Sequence, residues 1–329
     1  MSQAPIRVAV IGVGEFGRNH VRVWREMEGA ELVGVVDIDA DRAAKVTAEF
    51  GTRVLPDIDS LRAERVDAVS LAVPTKEHAR IGCQLLAARH DVLVEKPMAA
   101  SVDEADELIS ASRQAGRILQ IGHVERFNPA VGAAQKIVTR PMFFEVHRLG
   151  IFTPRSLDTD VVYDIMIHDL DILLTLVNSE VLDLKAVGIP VITDKVDIAH
   201  ARIGFSSGTV ANLTASRVST ERVRKMRFFQ EHEYISLDFT RQDVLRIRVQ
   251  PGKMEAQPEI GFEKMATTPE EPLKAELRSF LDCVRTRRNP IVDGGAGRRA
   301  LALADRVMGG ILDHARRVQL SAFTPQETR

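Results

Sequence analysis

From Ile6 to Gly122 two kinds of apolar pattern alternate along the chain. Short β-branched runs at 6–11, 31–36, 66–73, 91–94 and 117–121 have the length and composition of buried strands. Between them lie segments such as 41–50, 76–88 and 102–115, where apolar residues recur at helical spacing. This alternation predicts α/β structure, a doubly wound parallel sheet of Rossmann type. Ser101, with Glu104 three residues on, reads as a capping box, and Gly116 stands where the 102–115 helix should end.

The pattern changes after Gly122. Strand-like runs now follow one another at 140–148, 182–189, 197–205, 208–216, 223–230, 233–238 and 244–249. Ser206-Ser207-Gly208 and the surroundings of His232 read as tight returns. Consecutive strands with short returns predict an α+β domain built on a largely antiparallel open sheet. Segment 251–272, rich in Pro, Glu and Gly, reads as a loop, and 273–287 and 298–316 read as amphipathic helices. The expected organisation is a dinucleotide-binding domain over 1–122 and a substrate-binding and oligomerisation domain over 123–329. One face of the second sheet should pack on helices and leave the other for a partner subunit, which predicts a homo-oligomer, a dimer or tetramer.

Composition narrows the classes of function. A chain of 329 residues with 45% hydrophobic and 27% charged residues is ordinary for a soluble two-domain protein. A net charge of −2 gives no reason to expect a nucleic-acid or membrane partner, and 5% aromatics disfavours a base-stacking surface. Cys83 and Cys283 stand far apart and outside any metal-like spacing, as expected of reduced thiols in a cytoplasmic protein. No run approaches the roughly 18–20 apolar residues of a membrane span. The first apolar run is only as long as a strand and leads into a glycine turn, so no signal peptide is expected.

That turn is Gly12-x-Gly14-x-x-Gly17, placed between the first strand and the first helix. Gly12 permits a tight turn, Gly14 lets the backbone approach a pyrophosphate, and Gly17 allows close packing of helix on strand. The helix N-terminus then offers N–H groups to the anion. Asp37 ends the second strand, where its carboxylate would accept hydrogen bonds from the adenosine ribose and repel a 2′-phosphate. Ile38 brings no positive charge to offset this, so NAD is expected over NADP. The competing reading is a glycine turn in another kind of α/β protein; strand, turn, helix and acid together weigh against it.

Further chemistry stands at strand ends, where ligands of doubly wound sheets bind. Val73-Pro74-Thr75 ends one strand, with His78 opening the next helix; Pro74 and Thr75 are placed to line the nicotinamide ribose, or simply to form a strand-to-helix turn. Glu95-Lys96-Pro97 ends another. Taken alone Lys96 would be read as a surface lysine; beside a nicotinamide it could hydrogen-bond a substrate hydroxyl and help carry its proton. Asp164 and His168 are four residues apart in an apolar stretch, which on a helix puts them on one face, about one turn apart. A histidine is a natural general base, and Asp164 could orient a substrate hydroxyl or tune it; the plainer alternative is a buried pair that only holds the helix. His168-Asp169-x-Asp171 lacks further ligands at credible spacing, so no metal is expected.

On the stretches VIGVGEFG, VEKPMA and DIMIHDLD, the chain resembles the glucose–fructose oxidoreductase/inositol dehydrogenase superfamily over essentially its whole length. The resemblance implies an active site of Lys96, Asp164 and His168, and cofactor contacts at Gly12, Gly14, Glu15, Phe16, Gly17, Asp37, Ile38, Pro74, Thr75, His78, Glu95 and Lys96. The sequence departs from the family pattern at Val161, Val162 and Met166, where many relatives carry glycine. GHVERFNPA and DVVYDIMIHDLDILL resemble the branch that acts on nucleotide-linked sugars, in particular at the 3-hydroxyl of UDP-linked N-acetylglucosamine ahead of an aminotransferase, a route that supplies lipid A precursors. Within that resemblance Arg126 and Arg155 could contact a diphosphate and Asn128 a sugar hydroxyl or acetamido group; alternatively Arg126 and Asn128 cap the interdomain linker. The competing functions are oxidation of an inositol or free sugar, a hydrolysis or elimination that uses NAD transiently, and a non-catalytic dinucleotide sensor.

Overall fold

The structure, a computed structural model, describes residues 4–153, 159–250 and 259–320. Five strands, β1 (Ile6–Ile11), β2 (Ala30–Val36), β3 (Ala68–Leu71), β4 (Asp91–Glu95) and β5 (Leu119–Gly122), pair in the order β2-β1-β3-β4-β5, all parallel. Every residue of β3, β4 and β5 is buried, as a parallel sheet covered on both faces requires. The helices between them are α1 (Glu15–Glu26), α2 (Ala40–Phe50), the short α3 (Ser60–Ala63), α4 (His78–Ala87) and α5 (Val102–Ala115). The capping box is present: Ser101 Oγ accepts from the Glu104 N–H at 3.2 Å, and the Glu104 carboxylate turns back to the Ala100 N–H at 2.9 Å. Gly116 closes α5 in the left-handed conformation.

The chain divides into two units, Met1–Phe127 with Glu270–Leu301, and Asn128–Pro269 with Ala302–Arg329. The pattern alone put everything after 122 in the second domain. Instead α8 (Pro272–Thr286) returns to the first unit, where Leu277, Phe280 and Leu281 join a core cluster with Val8, Val10 and Trp24. Phe280 meets Trp24 edge-on at 6.5 Å between ring centroids. An amphipathic pattern shows that a helix has an apolar stripe and not which core will take it.

The second unit contains α6 (Pro129–Gln135), α7 (Ile167–Val177) and an eight-stranded sheet. Its strands are β6 (Phe143–Leu149), β7 (Val181–Ile189), β8 (Ile198–Phe205), β9 (Val210–Ser216), β10 (Val223–Gln230), β11 (Glu233–Asp238), β12 (Asp243–Gln250) and β13 (Glu259–Lys264). They run in the order β13-β12-β11-β10-β6-β9-β8-β7, antiparallel throughout except for β6 and β9. Burial alternates along β6 and β8, with one side of each inside. Phe144 and Phe228 stack on the covered face at 5.2 Å, whereas Phe143, Phe229 and Tyr234 cluster on the more open one. β13 lies inside the segment expected to be a loop. All its residues are exposed, so it lacks the alternation by which a strand is recognised. The last helix, α9, runs from Gly294 to Arg317.

Candidate active site

The glycine turn is built as the residue types require. Gly12 has φ +80°, and a Cβ there would stand 2.6 Å from the Ala72 carbonyl oxygen. A Cβ on Gly17 would lie 1.8 Å from the Gly12 oxygen, so α1 packs on the turn at a distance only glycine allows. Gly14 precedes α1 and no side chain caps that helix start. Glu15 and Phe16, the first residues of α1, are exposed. Asp37 faces the turn: its Oδ2 accepts from the Val13 N–H at 2.7 Å and its Oδ1 from the Asp39 N–H at 2.8 Å. The carboxylate thus fixes the loop, and each oxygen keeps acceptor capacity for a further donor.

Ile38 is fully exposed beside it. Sequence reasoning found no positive charge near Asp37, but the structure supplies one. Arg42, in the first turn of α2, brings its Nε within 3.7 Å of Asp37 Oδ1 and donates to Asp39 at 3.0 Å. Its main-chain N–H, and then its guanidinium, hold Asp39 below the usual carboxylate range. An open cavity of about 700 Å³ runs along Val13, Gly14, Glu15, Arg18, Arg42 and Lys45.

Pro74 is exposed and Thr75 half-buried beyond the end of β3. His78 departs from its expected cofactor contact. Its ring is buried, with Nδ1 2.8 Å from the Pro97 carbonyl and Nε2 2.9 Å from the Val73 carbonyl. Burial lowers its pKa. The ring nitrogens face carbonyls of the two loops that follow β3 and β4, and the neutral ring donates its one N–H to one of them. His78 therefore ties those strand ends together. Glu95 likewise turns inward: Oε1 is 2.9 Å from His20 Nε2, and Oε2 accepts from the Lys96 N–H at 3.2 Å. Burial alone would raise the Glu95 pKa, but the hydrogen bond and charge of His20 and the charge of Lys96 outweigh it and hold the carboxyl low. The Lys96–Pro97 bond is cis. The Lys96 side chain is half-buried, with Nζ 5.7 Å from the centroid of the Phe16 ring.

In the second unit, Asp164 and His168 stand in a largely apolar stretch, both half-buried, His168 between the buried Ile167 and Asp169 and Asp164 between the half-buried Tyr163 and Ile165. The expected plain α-helical turn is a π-helical turn over Val162–Met166 that gives way to α7 just before His168. Anchors hold this stretch. Asp160 Oδ1 accepts from the Val196 N–H at 2.8 Å, and the Tyr163 hydroxyl donates to Asp305 at 2.7 Å. Asp169, next to His168, receives two bonds from Arg148 of β6, Nε at 2.8 Å and Nη2 at 2.7 Å. That buried pair pins α7 to the sheet, and the spacing of the sequence gave no sign of it. Asn128 caps α6: its Oδ1 accepts from the Ala130 N–H at 3.1 Å and its Nδ2 donates to the Phe239 carbonyl at 3.0 Å. Both ends of its amide are thus engaged in the fold of the second unit. Arg126 is half-buried in the turn Val124–Phe127, and Arg155 lies outside the described residues. Among the described residues no three His, Cys, Asp or Glu side chains group to hold a metal, and no helix is long and apolar enough to cross a membrane.

Comparison with known proteins fits this arrangement. Residues 6–123 match the family model of an oxidoreductase family with an NAD-binding Rossmann fold, and residues 131–235 match a GFO/IDH/MocA C-terminal domain. UDP-N-acetylglucosamine 3-dehydrogenase of Acidithiobacillus ferrooxidans is 40% identical over 303 residues, 92% of this chain and 96% of that protein. The crystal form P21 of that enzyme, GnnA, superposes with a TM-score of 0.87 at 39% identity, covering 94% of this chain and 98% of that one. An inositol 2-dehydrogenase of Rubrobacter xylanophilus is 34% identical over 50% of each chain.

Proposed function

The chain belongs to the GFO/IDH/MocA oxidoreductase family, and from that premise we propose that it is an NAD-dependent dehydrogenase of a nucleotide-linked sugar, oxidising the 3-hydroxyl of a UDP-linked N-acetylated hexosamine to a 3-keto sugar. One observation carries the substrate class. The likeness to the UDP-N-acetylglucosamine enzyme spans 92% of this chain, whereas that to the inositol enzyme stops at 50%. A 3-keto product is suited to an aminotransferase, in the synthesis of lipid A or other cell-surface sugars. We further propose a cytoplasmic homo-oligomer that uses the open face carrying Phe143, Phe229 and Tyr234.

The residues fit the dinucleotide. The turn of Gly12, Gly14 and Gly17 and the uncapped start of α1 would hold the pyrophosphate, and Asp37 the adenosine ribose. Asp37 favours NAD over NADP. The bound nicotinamide would supply the redox chemistry by taking up the hydride of the carbinol carbon. The protein's part is positioning and proton transfer. His168 removes the proton of the reacting hydroxyl, Lys96 hydrogen-bonds to the same oxygen, and Asp164 orients the neighbouring groups.

The test is incubation of the purified protein with NAD⁺ and UDP-N-acetylglucosamine, with and without 2-oxoglutarate as a route for reoxidation. The expected result is NADH formation or turnover to a sugar two hydrogens lighter, absent with free N-acetylglucosamine. Equal activity on the free sugar would overturn the nucleotide requirement. Lys96→Met and His168→Gln should each lower kcat by about 10²–10⁴-fold and leave NAD binding in place.

A further inference from the structure

Near Lys96 the first unit buries polar and ionisable groups that the proposed reaction does not use. His20 of α1, Glu95 of β4, Gln120 of β5 and Glu276 of α8 are 1%, 9%, 0% and 0% exposed. Glu95 is satisfied by His20 and by the Lys96 N–H. Gln120 Nε2 donates to the main-chain carbonyl of Glu276 at 3.2 Å. Neither carboxyl oxygen of Glu276 has a hydrogen-bond partner, nor does Gln120 Oε1 or His20 Nδ1. Gly122, the register partner of Glu95 on β5, makes room for this arrangement: a Cβ there would stand 3.0 Å from Glu95 Cδ and Oε1.

Neighbouring inward positions of α8 are filled by Leu277, Phe280 and Leu281, and packing alone would be met by another apolar side chain. A buried carboxylate without a donor is strongly unfavourable. Burial, and then the charge of Glu95, drive the Glu276 pKa well above the ordinary carboxylate value, while Glu95 is held low. The pair is therefore one acid and one carboxylate.

We propose that Glu276 is a positioning residue for Lys96 that acts through Glu95. While it keeps its proton, the two carboxyls carry a single negative charge, Glu95 stays seated on His20, and the Lys96 N–H stays on Glu95. Loss of that proton sets two buried carboxylates against each other and unseats Glu95, and with it the lysine. The titratable and charged groups on the elements around Glu276 include His20 and Arg22 on α1, with Glu15, Arg18, Arg25 and Glu26 elsewhere on that helix, Glu95 and Lys96 at the end of β4, and Glu125 and Arg126 in the turn packed on α8. Of these, Glu95 is the one whose charge acts on Glu276. The inference rests on the reading of Lys96 as the reacting lysine.

Infrared spectroscopy of the whole protein tests it, because the C=O stretch of a protonated carboxylic acid is distinct from carboxylate bands. The wild type should show an acid band that Glu276→Gln lacks. In Glu95→Gln the band should vanish at a lower pH, because the charge that helps to hold the Glu276 proton is gone. Over the pH range in which the wild-type band disappears, kcat should fall, and that limb should be missing in Glu276→Gln. A band that survives Glu276→Gln, or a limb that does, would overturn the inference. Should Glu276→Gln fail to fold, an unmoved band in Glu95→Gln overturns it alone. Failure of the Lys96 reading shows elsewhere, as undiminished turnover in Lys96→Met.

Discussion

Replacing Asp169 by alanine would take two charge-assisted hydrogen bonds away from a buried guanidinium. Arg148 and Asp169 have side chains only 6% and 3% exposed, joined by two hydrogen bonds of 2.7 and 2.8 Å. The Arg148 guanidinium also lies 4.8 Å from the centroid of the Phe239 ring, so it is boxed in and has little access to water. Each charge-assisted bond is worth about 1.5–3 kcal/mol, but the two act as a unit, and the larger consequence is a desolvated charge that has lost both bonds at once. Removing one partner of such a pair typically costs about 3–5 kcal/mol. For a unit of this size that is a fall in Tm of roughly 6–20 °C. The assay is urea and thermal unfolding followed by circular dichroism, with Arg148→Met/Asp169→Leu as the companion variant. The double variant should recover most of the loss, because two apolar groups need no counter-ion. A loss in Asp169→Ala below about 1 kcal/mol, or a double variant no more stable than the single one, would refute the argument that the pair pins α7. Turnover should fall in Asp169→Ala as well, since His168 stands one residue away.

Asp37→Ala should weaken NAD binding by about tenfold or more and bring the NAD/NADP preference towards parity, with one carboxylate fewer beside Arg42 to repel a 2′-phosphate; an unchanged ratio counts against the role given to Asp37. Gly122→Ala should cost about 1–3 kcal/mol by pressing on Glu95, read by denaturant unfolding, and a neutral substitution would show that Glu95 has room to move. Glu276 predicts a pH dependence of stability. Its folded pKa is raised, so its contribution is whole below the unfolded carboxylate pKa and is lost as pH climbs towards the folded one. Glu276→Gln abolishes that loss, so its stability relative to wild type should rise by about 1.4 kcal/mol per pH unit across that window; a flat difference between acid and neutral pH would mean that Glu276 is ionised in the fold.

The local signals were legible because their causes are local. A β-branched run, a glycine turn and an amphipathic helix fix the first βα unit within some twenty residues, and the structure has β1, the turn and α1 where the pattern put them. The Ser101–Glu104 cap and the left-handed Gly116 were readable for the same reason. β13 was not, because an edge strand exposed on both faces carries no period-two pattern. The π-helical turn through Asp164 left no mark either, since its residues have the same apolar spacing as an α-helix.

The sequence by itself determined the parallel sheet of the first unit and the largely antiparallel sheet of the second, and it named the side chains proposed for the chemistry. Only the tertiary structure decided what those side chains lean on. His78 and Asn128, read from the sequence as ligand contacts, also hold main-chain groups of their own units. Arg42 stands beside Asp37, Arg148 holds Asp169, and α8 carries Glu276 to Gln120 across 156 residues of chain. Those pairings depend on which apolar stripe finds which core. That choice is made by burial summed over many distant residues, and no window along the chain records it.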